Sequence, residues 1–132
     1  DTKGLKIADF VEPELIHFPT FDGRQIPAFF FRPKTPKPAG GYPTVMVVHG
    51  GPESQYLPNF RTEVQFLIAR GYAILATNVR GSSGYGRSYL ALDDVRKRPD
   101  SVADLSHVAY CLLLERRRLR RRGRLLARRL AK

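Results

Sequence analysis

The four residues His49-Gly50-Gly51-Pro52 follow directly on the unbroken apolar run Thr44-Val45-Met46-Val47-Val48. Two residues without a Cβ at the end of a strand let backbone N–H groups come close to a ligand oxygen. Donors placed in this way stabilise the oxyanion that develops in the tetrahedral intermediate of acyl transfer. Losing one such donor costs roughly 3–4 kcal/mol of transition-state stabilisation. A tight turn that merely contains two glycines is the plainer reading of the same residues. His49 is expected to be a structural member of this loop and not a base.

The second glycine-rich stretch is Asn78-Val79-Arg80-Gly81-Ser82-Ser83-Gly84-Tyr85-Gly86-Arg87-Ser88-Tyr89. It lacks the Lys-Ser/Thr ending of a phosphate-binding P-loop, and its glycine order is not that of the dinucleotide fingerprint. None of Ser82, Ser83 or Ser88 sits in a Gly-x-Ser-x-Gly elbow, so the stretch offers no nucleophile of that type. His17 in a strand and His107 on a helix read as ordinary packed or surface histidines. Asp93, Asp94, Asp100 and Asp104 come without a second ligand type, so capping and ion pairs with Arg96, Lys97 and Arg98 explain them better than a metal. No metal or cofactor is expected. The single cysteine, Cys111, has no partner for an internal disulfide, and its apolar surroundings suggest a buried, inert thiol.

The elements that must carry these loops follow from patterning. Leu15–Pro19 and Ile26–Phe31 read as a hairpin around Phe21-Asp22-Gly23-Arg24, where Asp-Gly supplies the left-handed backbone of a tight turn. The Pro- and Gly-rich segment from Lys34 to Gly41 reads as a surface connection. Thr44–Val48 shows no alternation and suits a strand buried on both faces inside a parallel sheet. Phe60, Val64, Leu67 and Ile68 fall on one stripe of a helix over Phe60–Arg70, which Gly71 would cap. Tyr72–Thr77 is the next strand. A second helix is expected near Asp100-Ser101, with Ser101 and Asp104 spaced as a capping pair. Strand, helix, strand, loop, helix behind an antiparallel hairpin predicts an α/β fold with a mixed sheet.

Four stretches then carry a resemblance: His49 to Tyr56, Arg70 to Leu75, Asn78 to Tyr89 and Leu92 to Asp94. In this order they resemble the prolyl oligopeptidase family, above all its acylaminoacyl-peptidase and dipeptidyl-peptidase-like branch. The lead-in from Pro13 to Arg24 is similar to the start of that family's catalytic domain. The resemblance covers about Pro13 to Leu114. Thr77 stands where the family usually has proline, a change expected to be tolerated. The resemblance implies a partial α/β-hydrolase domain, normally behind a β-propeller, that cleaves short peptides through a Ser-Asp-His triad. It places half the oxyanion hole at the N–H groups near Gly50 and Gly51, within the loop His49, Gly50, Gly51 and Pro52. It makes Asn78, Arg80, Gly81, Gly84, Tyr85 and Gly86 a structural loop beside the active site. No Gly-x-Ser-x-Gly occurs in the 132 residues, so the triad is expected to lie outside them and the chain alone to be inactive.

The net charge of +11 is concentrated at one end. Residues 115–132 hold ten Lys or Arg against one acid, while residues 1–114 hold 13 against 11. The chain is therefore read as 1–114, the hydrolase portion, and 115–132, an Arg/Leu-rich tail. On a helix, Leu112, Leu119, Leu126 and Leu130 would share a narrow stripe, suited to an anionic membrane or nucleic acid. The preferred reading is a reading-frame shift in a GC-rich gene, because codons for residues 123–129 read one base over can encode a Gly-x-Ser-x-x-Gly-Gly-like string.

No run is long and apolar enough to span a membrane, and no signal peptide is visible. The first residue is Asp1 rather than Met, from which an upstream part is expected. A cytoplasmic setting, a peptide substrate in the parent and no specific nucleic acid complete the expectation, with oligomeric state open. Two rivals are an esterase or lipase of the same fold and a basic binding module driven by the tail. A sheet edge left exposed leads to an expectation of marginal stability or aggregation.

Overall fold

A computed structural model describes residues 6–51 and 53–130, with side chains described as far as residue 117. Strands β1 (Glu14–Pro19) and β2 (Gln25–Phe31) form the hairpin, paired from Glu14 opposite Phe30 to Pro19 opposite Gln25. Gly23 takes a φ of 79°, which its missing Cβ permits, and its N–H donates to the Thr20 carbonyl to close the turn. Strand β3 (Thr44–Val48), helix α1 (Thr62–Ala69) and strand β4 (Ala73–Thr77) follow. Gly71 ends the helix at a φ of 86°, and its N–H donates to the Ile68 carbonyl. A single turn, α2 (Arg87–Leu90), leads through two short 3₁₀ segments into the long helix α3 (Arg98–Leu130).

The four strands form one mixed sheet in the order β1-β2-β4-β3. Strand β4 lies antiparallel to β2 and parallel to β3, and all five of its residues are buried. Its alternation sorts the core. Ile74 and Ala76 pack with Phe31, Tyr56, Val64 and Ile68 under α1, while Leu75 packs with Ala28 and Val108 under α3. Helices thus cover both faces, as the α/β reading requires.

Three details depart from the sequence reading. Strand β3 was expected to be buried on both faces inside the sheet, yet among the described residues it pairs only with β4 and is partly exposed throughout. Its β-branched run suits a strand with one edge uncovered in this chain; the fully buried central strand is β4. Helix α1 starts at Thr62, so Phe60 lies outside it and is 60% exposed, packing edge-on against Phe10. Cys111 is exposed, because α3 turns that side to solvent.

Helix α3 begins at Arg98, so Ser101 lies inside its first turn and not at its cap. The Ser101 hydroxyl reaches both Asp93, at 3.0 Å, and the Arg98 carbonyl, at 2.8 Å. The 33 residues of α3 make a helix of about 50 Å, against about 17 Å for a five-residue strand. Leu112 packs against the sheet, so it is not part of a free surface stripe. The side chains of Leu119, Leu126 and Leu130 lie outside those described. Among the described residues no helix is long and apolar enough to cross a membrane.

Thr77 is fully buried, and its hydroxyl has no hydrogen-bond partner among the described residues. An unpaired buried hydroxyl costs about 1–3 kcal/mol. Thr77→Val keeps the shape and removes the orphan. We expect it to raise stability by about 1 kcal/mol in urea unfolding; an unchanged or lower midpoint would show that the hydroxyl is satisfied in solution.

Candidate active site

The His49 loop leaves the C-terminal end of β3, and the Asn78 loop leaves the C-terminal end of the neighbouring parallel strand β4. Parallel register therefore brings the two glycine-rich segments side by side. Gly50 and Gly51 are exposed, and a Cβ built on either meets nothing within 4 Å. Gly51 has a φ of 69°, a conformation that disfavours other residues. Among the described residues neither N–H has a backbone acceptor, and both glycines are exposed. Pro52 lies outside the described residues.

The Asn78 loop clamps the His49 loop by several bonds. Asn78 is fully buried at the end of β4 and uses its side-chain amide as a substitute strand partner. Its Oδ1 accepts from the Tyr56 N–H at 2.7 Å, and its Nδ2 donates to the Tyr56 carbonyl at 3.1 Å. The same Nδ2 reaches the Tyr85 hydroxyl at 2.8 Å, and the Tyr89 hydroxyl donates to the Asn78 carbonyl at 2.8 Å. Burial pushes the Tyr89 phenol well above its ordinary range, so it remains a donor at neutral pH. The Ser83 N–H donates to the Ser54 carbonyl at 2.9 Å, tying the loops together a second time.

Two glycines let the Asn78 loop pack tightly against its neighbours, Gly81 against Asp93 and Gly84 against the His49 loop. Gly81 has a φ of 90°, and a Cβ there would stand 2.1 Å from the Cβ of Asp93. Gly84 has a φ of 86°, and its Cβ would strike the Gln55 amide at 2.5 Å. Gly86, at a φ of 90° before α2, meets open space and serves only the backbone turn.

Arg80 fixes the second loop from below. Its guanidinium is buried, with bonds of 2.8 Å to both carboxylate oxygens of Asp104 and of 3.1 Å to both oxygens of Asp22. Asp100 stands 3.6 Å away, and the Phe21 ring centroid lies 4.8 Å from the guanidinium carbon. Arg80 holds the Asp22 carboxyl below the usual carboxylate range and is itself held charged by Asp104. One side chain thus joins the hairpin turn, the Asn78 loop and α3. Asp104 was expected to cap its helix or pair with the arginines before it. Instead it is fully buried against Arg80, and it accepts from the Thr20 hydroxyl at 2.6 Å. Asp93 does pair locally, with Arg98 at 3.1 Å.

His49 and Ser82 stand 2.9 Å apart through Nε2 and Oγ, the separation of a base and its nucleophile. The proton runs the wrong way for that chemistry. Ser82 is fully buried, and its hydroxyl donates to the Val79 carbonyl at 2.6 Å, so His49 is the donor. The arrangement can offer backbone donors to an oxyanion, and this pair supplies no nucleophile. A cavity of about 460 Å³ lies elsewhere, lined by Thr44 and Met46 of β3 and by Leu112 and Leu113 of α3.

Known proteins resemble this chain in sequence and fold. Residues 58–119 match the model of the prolyl oligopeptidase family. The chain is 37% identical over 78 residues to the uncharacterized peptidase YuxL of Bacillus subtilis, covering 59% of this chain and 12% of that protein. It is 36% identical over 87 residues to dipeptidyl-peptidase 4 of Giardia intestinalis, covering 63% of this chain and 11% of that one. Among solved structures, a puromycin hydrolase matches with a TM-score of 0.72 at 32% identity, over 85% of this chain and 18% of that one. The acylaminoacyl peptidase of Pyrococcus horikoshii matches with a TM-score of 0.66 at 29% identity, over 86% of this chain and 18% of that one. The chain thus spans about a tenth to a fifth of the length of these relatives. Its mixed sheet matches part of their α/β-hydrolase-like fold, and residues 58–119 carry its likeness to the prolyl oligopeptidase family.

Proposed function

We propose that this chain is part of the catalytic domain of a serine peptidase that hydrolyses peptide bonds of short peptides, and that Gly50 and Gly51 supply half of its oxyanion hole. One observation carries the reading. Two exposed glycine N–H groups without an acceptor among the described residues stand at the end of a parallel strand, on a loop that buried hydrogen bonds hold in place. Donors fixed before the reaction need no reorganisation as charge develops, which makes them effective. The tetrahedral oxyanion of an attacked peptide carbonyl is the charge they suit.

The serine, aspartate and histidine of the triad belong to the parent protein outside residues 1–114, and residues 115–132 are a frame-shifted run. The single Cys111 accords with a reducing, cytoplasmic setting. A fluorophosphonate serine-hydrolase probe tests the activity. We expect no labelling of the 132-residue chain and labelling of a version that continues into a Gly-x-Ser-x-Gly elbow in the restored frame. Labelling of the 132-residue chain itself would overturn the assignment, because a serine within it would then be activated.

A further inference from the structure

We propose that His49 is a positioning residue for the Gly50 and Gly51 amides, anchored through its side chain to Ser82. The inference rests on the oxyanion reading of those amides and adds the device that aims them. The loop is tied at its far end by the Tyr56–Asn78 bonds and by Ser83 to Ser54. At its near end the described tie is the 2.9 Å bond between His49 Nε2 and Ser82 Oγ, one residue before Gly50.

The direction of that bond follows from proton count. A serine hydroxyl carries one proton, and Ser82 gives it to the Val79 carbonyl at 2.6 Å. Ser82 Oγ is therefore an acceptor toward His49, and Nε2 carries a hydrogen. Nδ1 is buried without a partner among the described residues, so nothing competes for the ring's orientation. Ser82 is itself immobile, being fully buried with its N–H also donated to the Val79 carbonyl at 3.0 Å. The imidazole thus stands on a fixed acceptor, and the peptide plane that carries the Gly50 N–H follows from it. Neither glycine has a side chain, or among the described residues a backbone partner for its amide, to set that plane.

The test is ¹⁵N NMR of the full 132-residue chain, reading the His49 ring nitrogens and the backbone order parameters. Expected is an Nε2–H ring in the native chain, with Gly50 and Gly51 near the rigid value of about 0.85. His49→Ala and Ser82→Ala should each drop both glycines toward or below about 0.6 while residues of β2 and β4 keep their values. His49→Gln places an amide donor where Nε2 stood and should restore most of the order, which a general packing role would not do. Unchanged glycine order in both alanine variants, or an Nδ1–H ring in the native chain, would overturn the proposal. Order is read without chemistry, so this result and the probe-labelling result stand or fall separately.

Discussion

Replacing Arg80 with Met is expected to destabilise the chain by about 3–5 kcal/mol, the cost of breaking a buried ion pair by removing one partner. The reason is Asp104, fully buried on α3, which keeps only the Thr20 hydroxyl and a long 3.4 Å contact to a backbone N–H once the guanidinium is gone. Adding Asp104→Leu to Arg80→Met should recover most of the loss, since apolar side chains of similar volume often replace a buried pair without penalty. Urea unfolding of the two variants beside the parent reads both effects. A single variant within 1 kcal/mol of the parent would show that Arg80 does not organise the fold.

The same substitution alters the acid limb of stability. Arg80 lowers the Asp22 pKa in the folded state below its ordinary 3.8. A lowered folded pKa means stability that is present above the unfolded value and lost as pH falls through the folded one. The parent should therefore lose stability through Asp22 below about pH 4, and this contribution should be smaller in Arg80→Met, where only the Arg24 backbone bond and charge still lower the carboxyl.

Gly81→Ala is expected to cost about 3–5 kcal/mol, from two separate sources. The φ of 90° is strained for any residue with a Cβ, at about 1–3 kcal/mol. The new methyl would also fall 2.1 Å from Asp93 Cβ, and Asp93 is held by Ser101 and Arg98, so it yields only by breaking those bonds. Gly23→Ala separates the two sources. Its φ of 79° carries strain, but its Cβ meets nothing within 4 Å. It should cost about 1–2 kcal/mol. Equal losses in thermal unfolding of the two variants would mean that the clash with Asp93 relaxes freely and that Gly81 is needed for its backbone alone.

The local elements were legible because their causes are local. The Asp-Gly pair between two short strand-sized runs places β1, β2 and their turn, and the apolar stripe with Gly71 places α1 to within two residues at its start and one at its end. The His49-Gly50-Gly51 motif follows its strand as the residue types require, since two missing Cβ atoms at a strand end are a property of three consecutive residues. The resemblance of four ordered stretches also lay wholly in the chain. Tertiary structure alone decided the strand order, which left β3 and not β4 at the uncovered edge, because pairing depends on which faces other elements bury. It also decided the partners of the polar side chains. Thr20 and Asp104 are 84 positions apart, Arg80 and Asp22 are 58 apart, and His49 and Ser82 are 33 apart. A helical spacing of three made Ser101 and Asp104 look like a cap, yet a buried guanidinium needs carboxylates wherever the fold brings them, and that demand outweighed the local one.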